Sequence, residues 1–149
     1  MSGLNEYGIA AYKVPNDFAQ REINFILGIG GIEVQVGKAL GREFTLTSLK
    51  KTYGAVFVAT GQSSTHFLGI EGSNLKGISP AVEYISELRQ TKDKSILPVG
   101  RKVVVVGGGN TAIDIAVQIK RLGAEDVTIV YRRGFNDMSA TIHEKQFAQ

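Results

Sequence analysis

The sequence predicts an α/β fold with a parallel sheet and flanking helices, and three features of residues 101–133 support this prediction. Residues 102–106 are predicted to form a buried strand, because the four consecutive valines at 103–106 are typical of a strand in a covered parallel sheet. Residues 110–122 repeat apolar side chains at helical spacing, and Gly123 ends that helix before a second strand at residues 127–131. A strand, a helix and a strand within about 30 residues make one βαβ unit. We therefore predict Rossmann-like βαβ units.

The elements ahead of this unit are predicted from periodicity and from turn residues. A first helix begins after Pro15 and ends at Gly28, Gly30 and Gly31, and an alternating strand follows over 32–36. A short helix is predicted after Thr45–Ser48, and a buried strand over 55–60. The last of these elements is a helix over 81–92, with Val82, Ile85 and Leu88 inward. Residues 62–80 and 91–100 are predicted loops. Residues 134–149 are predicted to form a loop and the start of another helix.

Composition excludes several classes of function. The 149 residues carry a net charge of +3, which is too small to indicate nucleic-acid binding but suits a small anionic ligand. The chain contains no cysteine, so it holds no redox dithiol, disulfide or iron–sulfur ligand of its own. His66 and His143 lie far apart and do not predict a metal site. No signal peptide or membrane span is recognisable, which predicts a cytoplasmic protein without a membrane partner.

The glycine turn after residues 103–106 predicts a dinucleotide site. Residues 107–112 read Gly-Gly-Gly-Asn-Thr-Ala, a variant of the G-x-G-x-x-G fingerprint with alanine at the last position. Gly107 allows a sharp turn, Gly109 lets the backbone approach a pyrophosphate, and Ala112 allows close packing of the helix on the strand. With Gly108 between them, these residues place the pyrophosphate at the helix N-terminus. The earlier glycines at 28–31 follow a helix, so we interpret them as a helix end.

Three polar residues accompany this turn. Asn110 and Thr111 are predicted either to cap the helix or to contact phosphate oxygens, and the sequence does not decide between the two roles. Asp114 is predicted in the first turn, where it complements the helix dipole while facing away from the phosphates.

Two arginines at the end of the second strand indicate which dinucleotide binds. An NAD site usually has a carboxylate there, for the adenosine ribose hydroxyls. This chain instead has Arg132 and Arg133 after Tyr131, and we interpret Tyr131 as a packing residue. Guanidinium groups suit a 2′-phosphate by charge and by bidentate geometry. We therefore predict NADPH in preference to NADH.

Together, these motifs resemble the flavoprotein family of the glutamate synthase small subunit and the electron-entry half of dihydropyrimidine dehydrogenase. Four stretches carry the resemblance: residues 7–15, 59–61, 107–114 and 131–135. The resemblance implies that residues 107–112 bind the NADPH pyrophosphate, that Arg132 and Arg133 bind its 2′-phosphate, and that Thr60 and Gly61 lie near FAD. Family members often carry Pro or Arg where this chain has Ser139, so we predict no contact from Ser139.

The same resemblance predicts an internal piece of a longer protein, because the family's FAD fingerprint and its iron–sulfur cysteines are absent from this chain. We expect residues 1–65 to be part of a flavin domain, residues 66–100 a crossover connection with a helix, and residues 101–149 the first βαβ part of an NADPH domain. The full-length enzyme would pass hydride from NADPH to FAD and electrons to an iron–sulfur subunit or domain. The piece alone would be inactive.

Two alternative functions remain open from the sequence. One is a non-enzymatic NAD(P)-binding sensor, which would use the same fold without flavin. The other is a disulfide oxidoreductase similar to thioredoxin reductase, which the lack of a cysteine pair in this segment disfavours.

Overall fold

The predicted βαβ unit is present in the computed structural model, which describes residues 3–15, 17–61 and 68–149. Strand β1 spans Lys102–Val106, helix α5 spans Asn110–Arg121 and strand β2 spans Asp126–Val130. The strands pair in parallel, with Lys102 opposite Asp126 and Val106 opposite Val130. Both strands therefore end at the same edge of the sheet, and the glycine turn and the arginine pair follow them there.

Helix α5 packs against the sheet on one side and against helix α4, Ala81–Gln90, on the other. Its apolar residues recur at helical spacing, so they share one face and exclude water together. The buried cluster that results contains Tyr84, Ile85, Leu88, Leu97, Val105, Ala112, Ile115, Ala116, Ile119 and Ala124. Ile85 and Leu88 are buried as predicted, whereas Val82 is only half-buried.

The opposite face of the two-stranded sheet is exposed. Val104, Val106 and Val130 retain 63%, 58% and 47% of their accessible surface. Residues 102–106 were predicted to be buried, and for this face the prediction is wrong. Side chains alternate between the faces of a sheet, and within the described residues only the face that carries Val105 is covered.

The N-terminal segment is fastened to the helices of this unit. Helix α1 spans Gly3–Tyr7 and packs on α4. The Arg89 guanidinium donates hydrogen bonds to the carbonyl oxygens of Glu6, Ile9 and Val14 at 2.5, 3.0 and 3.1 Å. These contacts hold residues 6–14 against α4 without any regular secondary structure between Gly8 and Val14.

Residues Asn24–Ser64 form a second compact unit, distinct from the one that contains the sheet. The boundary falls within helix α2, Phe18–Gly28, which ends at the predicted glycines. Helix α3 spans Leu46–Thr52, and Thr45 and Ser48 exchange the two hydrogen bonds of a capping box at its start.

Both strands predicted in this second unit are absent. Residues 32–36 and 55–60 lack strand hydrogen bonding, and Phe57 is 93% exposed. A strand is defined by the neighbour with which it pairs, and alternation or an apolar run creates only the tendency. Within the described residues neither segment has such a neighbour.

The remaining elements are short. Single turns of 3₁₀ helix occur at Lys94–Ile96 and Phe135–Asp137, and helix α6 spans Ile142–Phe147, within the segment predicted to begin a helix. The predicted loop 62–80 is irregular from residue 68 to residue 80, while residues 62–67, including His66, lie outside the described residues. No helix in the described ranges combines the length and apolar character needed to cross a membrane.

Candidate functional site

Gly107 makes the turn from β1 towards α5, and the fold requires glycine at this position. Its φ of +147° lies in a region that other residues rarely adopt. A Cβ at Gly107 would lie 3.3 Å from the Cβ of Ala112, which is tighter than most such contacts. The strand and the helix therefore approach each other as closely as the fingerprint predicts, with small residues at both points of contact.

Gly108 is also required by the fold, for a different reason. It is buried, and a Cβ there would lie 2.7 Å from Cδ2 of the Tyr131 ring. The ring thus occupies the space above Gly108, in agreement with the predicted packing role of Tyr131. Its hydroxyl donates to the carbonyl oxygen of Asp137 at 3.2 Å.

Gly109 differs from both of its neighbours. It is the N-cap of α5, with φ −93° and ψ 174°, a conformation open to any residue. The nearest atom to a Cβ at Gly109 would be Oγ of Ser139 at 3.5 Å, an ordinary van der Waals contact. Among the described residues, none requires position 109 to be glycine.

Asn110 and Thr111 occupy the first two positions of α5. Because Gly109 is the N-cap and no side chain caps the helix, the prediction that either residue caps it is wrong. The Asn110 Oδ1 instead accepts a hydrogen bond from the Thr141 N–H at 3.0 Å. Thr111 is exposed, and phosphate contact by either residue stays a prediction.

Arg132 and Arg133 are exposed and lie in a loop that folds back onto the glycine turn. We call residues 131–141 the arginine loop. Near its end, the Ala140 N–H donates to the carbonyl oxygen of Gly108 at 2.9 Å. Because β1 and β2 are parallel neighbours, the arginine pair and the glycine turn lie at the same edge of the sheet.

Asp114 was predicted in the first turn of α5, and this prediction is wrong because α5 begins at Asn110 and its first turn contains no acidic residue. Asp114 is 5% exposed, and its Oδ1 lies 2.6 Å from Lys13 Nζ and accepts a hydrogen bond from the Tyr12 hydroxyl at 2.9 Å. Lys13 also pairs with Glu144 of α6 at 2.7 Å. The carboxylate thus holds the N-terminal segment.

The pKa values in this cluster are raised. Burial is the largest influence on Tyr12, and its hydrogen bond to Asp114 raises the pKa of the hydroxyl further above its ordinary value. Burial alone would lower the pKa of Lys13, but hydrogen bonds to Asp114 and Glu144 outweigh it and raise that pKa. The cluster therefore favours a protonated Tyr12 and a charged Lys13.

Sequence reasoning identified the glycine turn but missed the role of Tyr12 and Lys13. The Tyr12–Asp114 bond joins residues 102 positions apart. Only the tertiary packing of the N-terminal segment on α5 brings them together, and no local motif signals it.

The residues predicted near FAD lie in the second unit. Thr60 and Gly61 are exposed, and Gly61 has a φ of +72°. Residues 62–67 follow them and lie outside the described residues, so the proximity of Thr60 and Gly61 to a flavin stays a prediction. A metal site is not indicated, since the described parts of the chain contain no suitable group of His, Cys, Asp or Glu side chains.

Comparison with known families agrees with this geometry. The sequence profile of the pyridine nucleotide-disulphide oxidoreductase family matches residues 5–147. The chain belongs to this family. Its βαβ unit, turn and parallel strand pair are the family's Rossmann-like fold, as the sequence predicted. Because the chain contains no cysteine, it contributes no thiol to a disulphide reaction.

Curated relatives give a more specific likeness. The chain is 34% identical over 145 residues to the beta subunit of an NADPH-Fe(3+) oxidoreductase from Geobacter sulfurreducens, covering 95% of this chain and 21% of that protein. It is 33% identical over 149 residues to the beta subunit of the NADP(+)-dependent formate dehydrogenase of Moorella thermoacetica, covering 99% and 21%. It is 31% identical over 157 residues to the glutamate synthase [NADPH] small chain of Escherichia coli, covering 100% and 33%. The chain therefore spans a fifth to a third of these relatives.

Proposed function

We propose that this chain is the NADPH-binding portion of an FAD-dependent oxidoreductase that passes hydride from NADPH to the flavin. Family membership and relatives named as NADPH- or NADP(+)-dependent oxidoreductases support this proposal over a non-enzymatic sensor. The chain would bind and orient the dinucleotide, while the two cofactors supply the redox chemistry.

The observation that carries the proposal is Gly109. Backbone conformation explains glycine at 107 and the Tyr131 ring explains it at 108, but the described residues leave room for a side chain at 109. The absence of a side chain at the N-cap of α5 is what lets a pyrophosphate approach the N–H groups of the first turn. The residues present therefore fit the dinucleotide.

The choice of NADPH rests on Arg132 and Arg133. Both are exposed at the edge of the sheet where the glycine turn lies, and two guanidinium groups there match the charge and shape of a 2′-phosphate. NADH lacks that phosphate, so it would gain little from the pair.

This chain would contribute fewer binding residues to the flavin than to the dinucleotide. Thr60 and Gly61 are the residues that we propose near FAD, and the chain carries no second fingerprint for a flavin pyrophosphate. We therefore assign neither the acceptance of the hydride nor the onward transfer of electrons to residues of this chain. We propose an iron–sulfur subunit or domain as the electron acceptor: two relatives are named as beta subunits, which supports a partner subunit, and the iron–sulfur centre is what the family resemblance implies. A cytoplasmic location completes the proposal.

Titration of the purified protein with NADPH and NADH tests the pyrophosphate site. Gly109→Ala should weaken both dinucleotides about tenfold or more, because its methyl group enters the space that the phosphates need. Thermal unfolding should change little, because the methyl group meets only an ordinary contact in the protein itself. Unaltered binding of both dinucleotides would contradict the proposed site.

The arginine pair serves as the matched comparison in the same titrations. Replacing Arg132 and Arg133 with alanine should weaken NADPH much more than NADH, because only NADPH offers the 2′-phosphate. An equal loss for the two cofactors would reject the assignment of NADPH and leave the pyrophosphate site standing.

A further inference from the structure

The arginine loop is attached to the glycine turn at both of its ends. At the start, the Tyr131 ring lies over Gly108. Near the end, the Ala140 N–H donates to the Gly108 carbonyl oxygen at 2.9 Å. Both attachments are made to Gly108. By themselves they therefore fix the position of the loop better than its rotation about that residue.

Asn110 supplies an attachment at a second residue. Its Oδ1 accepts the hydrogen bond from the Thr141 N–H at 3.0 Å, across 31 positions of sequence. A backbone N–H can pair only with the oxygen of the amide, so this bond also fixes which way the amide faces. Asn110 is the first residue of α5, and the bond therefore ties the arginine loop to the helix whose N-terminus faces the proposed pyrophosphate.

The direction of the Asn110 side chain separates this role from the two predicted from the sequence. Helix α5 has no side-chain cap, so Asn110 is not needed to start the helix. Its oxygen accepts from the loop, so the bond to Thr141 is a role distinct from phosphate contact, for which only the amide N–H groups could serve. The hydrogen bond holds the backbone at Thr141, at the end of the arginine loop, in place relative to the start of α5.

We propose that Asn110 is a positioning residue that sets the preference for NADPH over NADH. The proposal rests on the function proposed above, because it requires Arg132 and Arg133 to bind the 2′-phosphate. Bidentate pairing of a guanidinium with a phosphate depends on accurate placement of both groups. The arginine side chains are exposed, so their placement relative to the pyrophosphate depends on the backbone of the loop that carries them.

The hydrogen bond can be removed from either side. Asn110→Ala deletes the acceptor, and Thr141→Pro deletes the donor. The backbone at 141, with φ −62° and ψ 154°, suits proline, as Pro80 occupies the same N-cap position of α4 at −61° and 131°, and the ring Cδ replaces the N–H and displaces the Asn110 oxygen. Thr141 also caps α6 through its hydroxyl, which accepts from the Glu144 N–H. Thr141→Ala removes that cap but keeps the N–H, and it is the matched control.

The measurement is the ratio of NADPH to NADH affinity in calorimetric titrations of the purified protein. Asn110→Ala and Thr141→Pro should each lower this ratio about fivefold or more, which is the scale of one lost hydrogen bond. The double variant should lower it no further than either single variant, because both remove the same bond. Thr141→Ala should keep the ratio of the unmodified protein.

Three outcomes would overturn the inference. If Asn110→Ala and Thr141→Pro weaken both cofactors by the same factor, Asn110 serves only the fold or the pyrophosphate. If Thr141→Ala lowers the ratio as much as Thr141→Pro, the effect belongs to the cap of α6. If the unmodified protein binds the two cofactors equally, the assignment of NADPH fails together with this inference. Asn110→Asp keeps an acceptor oxygen and should recover part of the ratio that Asn110→Ala loses, while its added charge opposes full recovery because only NADPH carries the 2′-phosphate.

Discussion

Lys13 links two elements through two carboxylates at once. Its ammonium group lies 2.6 Å from Asp114 of α5 and 2.7 Å from Glu144 of α6. A buried carboxylate is costly unless it is paired and hydrogen-bonded, and Asp114 receives both from Lys13 and Tyr12. Arg121 adds a cation above the Tyr12 ring at 5.1 Å. Asp114 contacts Lys13 and Tyr12, and Arg121 contacts the Tyr12 ring. Substitution of any one of these residues therefore changes the electrostatic environment of the others.

This cluster makes stability fall in alkaline solution. The raised pKa of Tyr12 means that the folded state holds the phenolic proton more tightly than the unfolded state. The resulting stabilisation is fully present below the ordinary tyrosine pKa of about 10 and is lost progressively above it. The raised pKa of Lys13 acts in the same direction.

Tyr12→Phe tests the contribution of the hydroxyl. At pH 8 the variant should lose about 0.5–1.5 kcal/mol of the free energy of unfolding, the usual value of one hydrogen bond. Its free energy should then decline less steeply than that of the unmodified protein from pH 10 to pH 11.5, as measured by urea unfolding. Tyr53→Phe, at an exposed position, is the control. Parallel curves for Tyr12→Phe and the unmodified protein would show that Tyr12 does not contribute.

At the scale of elements, the contact between the Tyr131 ring and the glycine turn depends on the absence of a side chain at Gly108. Gly108→Ala would bring a methyl group to 2.7 Å from the Tyr131 ring, so the ring and the arginine loop behind it must move. We expect a loss of about 1–3 kcal/mol in the free energy of unfolding, the typical cost of overpacking.

A second substitution separates this contact from other effects. Tyr131→Leu in the Gly108→Ala background makes room for the methyl group and should recover part of the lost stability, measured by thermal unfolding. If the double variant is destabilised by the sum of the two single changes, the two residues do not interact and the proposed crowding is wrong.

An element was predictable from the sequence when the segments that pack or pair with it lie close to it along the chain. The βαβ unit holds both strands and the helix between them within about 30 residues, so its pattern was sufficient. Residues 32–36 and 55–60 have comparable strand patterns, but pairing with a neighbour decides whether a strand forms. The features of the candidate site also separate into a local motif and contacts between remote segments. The glycine turn is a local motif, whereas the Asn110–Thr141 and Tyr12–Asp114 bonds depend on packing between remote segments.

At the scale of the whole molecule, the two compact units differ in how much they bury. The unit with the sheet contains the apolar cluster around Ile85, whereas Asn24–Ser64 exposes Phe25, Val36 and Phe57. Local opening costs less free energy where few apolar contacts must be broken.

Hydrogen–deuterium exchange should therefore separate the two units. We expect the amides of α5 and β1 to exchange orders of magnitude more slowly than those of residues 32–60. Saturating NADPH should slow exchange further in residues 107–141, because ligand binding to the folded state suppresses opening of its site. Equal protection of both units without ligand would contradict this ordering, and protection by NADPH confined to residues 32–60 would place the ligand elsewhere.

The exposed face of the sheet also affects how the protein behaves in concentrated solution. Val104, Val106 and Val130 form an apolar strip on a sheet that, within the described residues, has only two strands, so each strand has one edge without a paired neighbour. Such a strip is available to any second molecule that can add a strand or cover the valines. Charged residues introduced at 104 or 130 should therefore reduce self-association through this sheet, as measured by light scattering of concentrated preparations.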